Sequence, residues 1–103
     1  MTSERRETLL QNAFSMLLDT SIACMSDDDV VSETGMSADE NQYFLENSLS
    51  DNPADDNRME TLLYNAVALL LDTEYVGLTN EEIMNGIGMS DTEAEELNVF
   101  SSI

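Results

Sequence analysis

The side chains of this chain that could take part in chemistry are almost all carboxylates. Among 103 residues there are 22 acids, three arginines, no lysine and no histidine, and the net charge at pH 7 is −19. General acid–base catalysis needs a group that titrates near the working pH, and no spacing among these acids predicts a buried pair that would do so. The sequence also lacks a glycine-rich phosphate loop and a cluster of zinc ligands. It therefore predicts no enzyme and no cofactor.

The acid-rich segments SDDDVVSE and SDNPADDN raise the question of calcium binding. An EF-hand loop needs oxygen ligands at alternating positions, glycine at the sixth position and glutamate at the twelfth. A loop starting at Asp51 would have Asp56 sixth and Leu62 twelfth, and one starting at Asp27 would have Ala38 twelfth. Both segments fail, so no dedicated metal site is predicted. Weak binding of divalent cations to the acid runs is left open.

The excess of acid restricts the partners that this chain can have. A chain with so few cations cannot neutralise phosphates and release their counterions, so we do not expect it to bind nucleic acid directly. Anionic membrane surfaces are disfavoured for the same reason. The charge instead predicts a basic partner, such as a cationic groove on another protein. The alternative is that the acids only keep the protein soluble.

Cysteine usage and hydropathy indicate the compartment. Cys24 is the only cysteine, so no intrachain disulfide is predicted and a reducing compartment fits best. Its neighbours Ala23 and Met25 indicate a small core residue rather than a nucleophile, since the chain has no histidine to activate a thiol. No segment reaches 18 apolar residues. We therefore expect a soluble, cytoplasmic protein.

An internal repeat organises the sequence. When Arg5 is aligned with Arg58, residues 5–40 lie over residues 58–93 without a gap, and 15 of the 36 positions are identical. The hexapeptides GMSADE and GMSDTE, 53 residues apart, are part of this match. Self-similarity of this extent indicates a tandem duplication.

Each copy is predicted to begin with a long helix, from about 4 to 22 and from about 58 to 74. Apolar residues recur there at intervals of three and four, which is typical of a helix with a broad buried stripe. In the first copy they are Leu9, Leu10, Ala13, Phe14, Met16, Leu17 and Leu18. Asn12 and Asn65 lie inside the stripes, and we expect each to form a hydrogen bond across helices that fixes their register.

Asp19 and Asp72 occupy equivalent positions near the ends of the two long helices. The helix macrodipole opposes negative charge at a C-terminus, so these residues need another explanation. Each aspartate either caps the segment that follows or faces a partner, and the sequence does not choose between the two.

Two shorter helices are predicted to follow in each copy, the first of them at about 27–34 and 80–87. Every short helix begins with a capping-box pattern, in which a hydroxyl residue is followed three positions later by an acid. The pairs are Ser26 with Asp29, Ser37 with Glu40, Thr79 with Glu82, and Ser90 with Glu93. Gly35 and Gly88 lie between the two short helices, where a left-handed residue commonly ends a helix.

The polar segment SLSDNPADDN (48–57) contains the only proline and predicts a linker. We therefore divide the chain into a first three-helix repeat at 1–49, a linker at 50–57 and a second repeat at 58–103. The predicted fold is all-α, with two tandem three-helix repeats that share one core and are related by pseudo-two-fold symmetry, the usual way for a duplicated unit to bury one apolar face against its twin.

The segment LTNEEIMNGIGMSDTEAEEL (78–97) resembles the helix-turn-helix unit of phage repressors and related DNA-binding domains. The resemblance implies buried side chains at Ile83, Ile87, Met89, Ala94 and Leu97, and at the first-copy equivalents Val30, Thr34, Met36, Asn41 and Phe44, a poorer fit. The family usually has a small residue where this chain has Met84 and Val31, which could change the helix crossing. The helix that would read DNA presents acids here, and an acidic helix would be repelled by phosphates. The resemblance therefore extends to architecture and not to DNA binding.

Some acids are explained by the helix starts that they cap, and the others are candidates for contact with a partner. The candidates are Asp27, Asp28, Glu33, Asp39, Glu74, Glu81, Asp91, Glu95 and Glu96. An apolar contact at Tyr43, Phe44, Tyr75 or Phe100 would add specificity, although core or rim packing is the commoner role for such residues.

This chain is small, acidic and without lysine. In these respects it resembles, in type, the phage-encoded DNA mimics that block CRISPR effectors or restriction enzymes. The resemblance implies an inhibitor that occupies the basic DNA- or RNA-binding groove of a target in the cytoplasm of a bacterial host. An alternative is a helical adaptor, derived from a helix-turn-helix, that joins proteins in a regulatory complex. A homodimer and a monomer both remain open.

Overall fold

The computed structural model describes residues 2–23, 25–48, 51–72 and 76–97. These residues form six α-helices: α1 (Ser3–Leu18), α2 (Asp27–Thr34), α3 (Ala38–Phe44), α4 (Asp56–Leu70), α5 (Asn80–Ile87) and α6 (Asp91–Leu97). In these ranges the only β-type pairing is an isolated antiparallel bridge between Ala23 and Val76. The prediction of an all-α fold is confirmed. Cys24, Glu74, Tyr75 and Phe100 lie outside the described residues, so what the sequence predicts for them stays a prediction.

The long helices end about four residues earlier than the sequence predicts, at Leu18 and Leu70 rather than near 22 and 74. Asp19 explains the first of these ends. Its Oδ1 atom accepts hydrogen bonds from the backbone N–H of Ser21 at 2.9 Å and from the Ser21 hydroxyl at 2.6 Å. Such local bonds compete with helix continuation. Of the two roles open to Asp19, capping of the next segment is therefore the one observed.

The four predicted capping boxes are all present. The hydroxyls of Ser26, Ser37, Thr79 and Ser90 each accept from the backbone N–H three residues on, at 3.2 Å in every case. The acids at those third positions accept in return from the N–H of the capping residue, at 2.8 to 3.4 Å. Two backbone donors are satisfied at each helix start, and this is why the short helices begin where the sequence predicts.

Gly35 and Gly88 end α2 and α5 in the left-handed conformation, with φ of 73° and 81°. A side chain costs about 1–2 kcal/mol in this region. We expect Gly88→Ala to lower the free energy of unfolding by about that amount, as measured by urea denaturation. Gly77→Ala is the matched control, because Gly77 has open space around its Cα and no positive φ. Equal effects of the two substitutions would contradict the role assigned to the left-handed cap.

The buried side chains form one core cluster to which both halves of the chain contribute, and α1 packs against α4 at its centre. The stripe predicted for α1 is buried except for Leu18, which packs against the core at its edge. All five positions predicted to be buried in the second half are buried. Among their first-half equivalents only Asn41 is not: it is half-buried, and its Oδ1 atom has no hydrogen-bond partner.

Hydrogen bonds tie each long helix to the short helices of the other half. Asn12 on α1 donates to the carbonyl oxygen of Ile87 at 2.7 Å, and Asn65 on α4 donates to that of Thr34 at 3.0 Å. These are the bonds across helices that the sequence predicts. They satisfy carbonyl groups at the ends of α5 and α2 that have no partner inside their own helices.

The two long helices meet at both ends. Ser3, the first residue of α1, donates a side-chain hydrogen bond to Asp56, the first residue of α4. Beyond the other ends, Ala23 and Val76 form the isolated bridge. The helices therefore run side by side in the same direction, and both contacts join residues that are 53 positions apart.

Candidate functional site

Two of the three arginines form clamps on the turns between the short helices. Arg5 donates through Nε to Glu93 Oε2 at 2.6 Å and through Nη2 to Glu93 Oε1 at 3.0 Å, and Nη2 also donates to the carbonyl oxygen of Gly88. A guanidinium that holds a carboxylate through two bonds fixes geometry as well as charge.

The second clamp has the same form. Arg58 donates through Nε and Nη2 to the two carboxylate oxygens of Glu40, at 2.7 and 2.8 Å, and through Nη2 to the carbonyl oxygen of Gly35 at 2.6 Å. Each clamp joins a long helix to the glycine turn and the capping acid of the other half. The sequence does not predict a site at either arginine, although their identity in the repeat alignment is a usable signal.

The clamps shift the titration of the acids that they hold. The bond from Arg5 lowers the pKa of Glu93 from 4.5 to about 2, with a further contribution from the capping bond to Ser90. The bond from Arg58 likewise lowers the pKa of Glu40, although partial burial of that carboxyl opposes the shift. Glu40 and Glu93 are therefore structural anions and are not available to a partner.

The clamps leave the rest of the surface with almost no positive charge. Arg6 is the third arginine, and it forms no ion pair within the described part of the chain. Apart from the two arginines and two glutamates of the clamps, the chain has 20 acids and one arginine. The candidate acids that the structure describes are all exposed: Asp27, Asp28, Glu33, Asp39, Glu81, Asp91, Glu95 and Glu96. The ninth candidate, Glu74, lies outside the described residues.

Most of these acids stabilise a helix start. Asp27 and Asp28 lie in the first turn of α2, Asp39 in that of α3, Glu81 in that of α5, and Asp91 in that of α6. Negative charge there interacts favourably with the helix macrodipole. Local structure is therefore a sufficient reason for these five residues.

Three candidates have no such explanation. Glu33 lies in the last turn of α2, and Glu95 and Glu96 lie in the last turn of α6, where the macrodipole disfavours an anion. No basic residue lies in either of those turns. Glu33 and Glu95 oppose the macrodipole of their helices, so they are the strongest candidates for contact with a partner.

The structure brings some of the candidates together. Glu81 and Asp91, from different helices, line an open groove of about 520 Å³ between α5 and α6, beside Met84, Asn85, Met89 and Ser90. Glu96 lines a small cavity with Arg6 and Glu60. Glu33 and Asp39 line neither of these two cavities.

The aromatic predictions need correction at Phe44. Its side chain is buried against Phe14, with ring centroids 5.7 Å apart, because its position in α3 faces the core. Tyr43 is half-buried and packs edge-on against Phe44. Among the described residues, the exposed aromatic side chain is instead that of Tyr64 on α4, with 45% of its surface accessible, and the sequence does not predict its exposure. A usable signal was that Tyr64 replaces Gln11 of the first copy.

Within the described ranges, no three side chains of histidine, cysteine or acid lie together as metal ligands would. None of the helices there is long and apolar enough to cross a membrane. Comparison of this chain with family models, with curated proteins and with solved structures gave no match. The function therefore has to be argued from the side chains themselves.

Proposed function

We propose that this chain is an acidic inhibitor that mimics nucleic acid and blocks the basic DNA- or RNA-binding groove of a target protein. The observation that carries the proposal is that most of the arginines are already paired within the chain. Two of three are bound to the structural acids Glu40 and Glu93, so the exposed acids have almost no cation of their own chain beside them. Such a surface attracts a cationic groove through long-range steering and salt-sensitive pairing.

The arrangement of the two halves adds to the proposal. In our interpretation the chain is two fused copies of a three-helix unit, related by an approximate two-fold axis along the paired long helices. The equivalent clamps at Arg5 and Arg58, and the equivalent bonds of Asn12 and Asn65, support this view. Contacts between residues 53 positions apart, such as Ala23 with Val76, are those expected on the axis itself.

A two-fold axis would present acidic helices at two places with a fixed separation. Duplex DNA is also a regular array of anions, with about one charge per 1.7 Å of axis. Carboxylates would stand in for phosphates opposite the arginines and lysines of the target, and the inhibitor would act by competitive exclusion. CRISPR effectors and restriction enzymes in a bacterial cytoplasm are the targets that fit this chemistry.

The proposal predicts that the immobilised protein retains nucleic-acid-binding proteins from a bacterial lysate. We expect retention at about 50 mM salt and a steep fall in retention by about 300 mM, because salt screens the charge pairing. We also expect duplex DNA to compete, because the target uses one basic surface for both ligands. Mass spectrometry identifies the retained proteins. Retained proteins that do not bind nucleic acid would contradict the proposal.

Paired variants sharpen this test. Glu33→Gln with Glu95→Gln is expected to weaken retention while leaving the free energy of unfolding unchanged or higher, since each anion opposes a macrodipole by about 0.3–1 kcal/mol. Asp27→Asn with Asp39→Asn is the matched control, because it removes the same amount of charge. These two acids lie at helix starts, so their replacement is expected to lower the free energy of unfolding. Reversing the charge of Asp91, Glu95 and Glu96 together should abolish retention with helicity intact.

An adaptor that joins proteins is the second candidate, and the exposed Tyr64 favours it. Such a protein would bind through apolar surface, and its retention of partners would be insensitive to moderate salt and to competitor DNA. The lysate experiment therefore distinguishes the two functions.

A further inference from the structure

Tyr64 is the one large hydrophobic side chain that is exposed in the described part of the chain, with 45% of its surface accessible. The equivalent position in the first half is Gln11, so the same place on the other long helix holds a residue that is not aromatic. The fold therefore does not need a ring at position 64. Tyrosine is also among the residues that most often anchor protein interfaces.

The ring lies on an open groove of about 370 Å³ lined by Asn57, Glu60, Thr61, Tyr64, Asn65 and Leu97. A difference in core packing accompanies this groove. In the first half Phe14 packs against Phe44, whereas the aligned residues of the second half are Val67 and Leu97. Both are buried and smaller than phenylalanine, and Leu97 lines the groove.

The groove combines an aromatic face with a carboxylate. Glu60 precedes Tyr64 by four residues on α4, so their side chains lie on the same face of the helix. Asn57 and Thr61 add polar groups at the rim. Glu60 also lines the smaller cavity that contains Arg6 and Glu96, but it forms no ion pair with Arg6. A planar cation could stack on the ring and pair with this carboxylate at once.

We propose that this groove on α4 binds an arginine side chain of the basic target, with the guanidinium stacked on Tyr64 and paired with Glu60. This inference rests on the proposed function, because the overall charge of the chain selects a cationic partner. Arginine fits better than lysine, since its guanidinium is planar, is more weakly hydrated and stacks on aromatic faces. The groove would then supply specificity that bulk charge does not.

The test uses two short peptides. The first has three arginines separated by Gly-Ser pairs, and the second has lysines in place of the arginines. Each peptide is titrated into the full chain at about 20 mM salt. Binding is followed by NMR through the backbone amide signals of Glu60 and Thr61, which line the groove and are present in every variant. We expect the arginine peptide to bind about fivefold more tightly than the lysine peptide. Tyr64→Gln should reduce this ratio to about one, and Tyr64→Phe should retain it.

The matched control is Gln11→Ala, which alters the equivalent position of the first half and should leave the ratio unchanged. Tyr64→Gln introduces the residue that the first half has at this position, and circular dichroism checks that this variant is folded.

A ratio of one in the unmodified chain, with both peptides still released by salt, would overturn the proposed arginine site in the groove and leave the proposed function standing. Absence of binding by either peptide would contradict both. Binding only after deletion of residues 98–103 would assign the groove to the chain's own C-terminal segment and would also overturn the inference.

Discussion

Replacing Arg58 by methionine is expected to lower the free energy of unfolding by about 2 kcal/mol. The substitution keeps an apolar stem of similar length and removes the guanidinium. It leaves the Glu40 carboxylate, whose side chain is only 6% exposed, without its cation, and it leaves the carbonyl of Gly35 without its donor.

The magnitude follows from the burial of the pair. Removal of one partner from a fully buried ion pair typically costs about 3–5 kcal/mol. The Arg58 side chain is 37% exposed, so solvent screens part of the interaction and the cost is reduced to about 2 kcal/mol. In a chain of this length that corresponds to a fall in Tm of roughly 10 °C.

Arg6→Met is the matched control, since it makes the same change of charge and Arg6 forms no ion pair with any residue that the structure describes. Methionine is also the residue that the second half has at the equivalent position, Met59. We expect the control to change the free energy of unfolding by about 0.5 kcal/mol or less, as is usual for surface positions. Equal losses for the two variants in urea denaturation would show that the clamp contributes nothing.

The contribution of the other clamp is expected to disappear in acid. The difference in Tm between the unmodified chain and Arg5→Met should stay constant from pH 7 to about pH 5 and then shrink as the pH falls from 4.5 to about 2. Circular dichroism melts across this range measure the difference.

The sign follows from the titration of Glu93. Its pKa is 4.5 when free and about 2 in the folded chain, because Arg5 stabilises the carboxylate. Between these values the unfolded chain binds a proton that the folded chain does not, so the stability from this clamp falls as the pH falls. Above 4.5 both states are ionised and the contribution is complete.

Comparison with the variant isolates this effect from the net charge. Protonation of the many surface acids relieves self-repulsion and changes the stability of both proteins in a similar way. Arg6→Met again serves as the control, and its difference from the unmodified chain should show no loss between pH 4.5 and 2. If Arg5→Met behaved as this control does, Glu93 would not be the group responsible.

The sequence predicted the local structure because local chemistry determines it. The four capping boxes and the glycine caps depend on residues within three or four positions of each other, and all are observed. The length of the long helices was predicted less well. The apolar pattern continues past Leu18, and only the two hydrogen bonds that Ser21 donates to the Asp19 carboxylate show why the helix stops there.

The candidate site was predicted in part for the same reason. Composition is enough to show that the surface is acidic, but it assigns Glu40 and Glu93 only a capping role. Their bonds to Arg58 and Arg5 span 18 and 88 residues, and no local pattern encodes such contacts. The same limit applies to Tyr64, because its exposure depends on which residues of the other helices reach α4.

By itself, then, the sequence determined that the chain is helical, where the short helices begin, and that its surface is acidic, since these follow from neighbouring residues and from counting charges. Only the tertiary structure decided which acids are structural anions, that each long helix holds the short helices of the other half, and that an aromatic ring lies exposed on α4. Those properties depend on packing between distant segments, where burial and the geometry of two-bond pairing select one partner among many carboxylates.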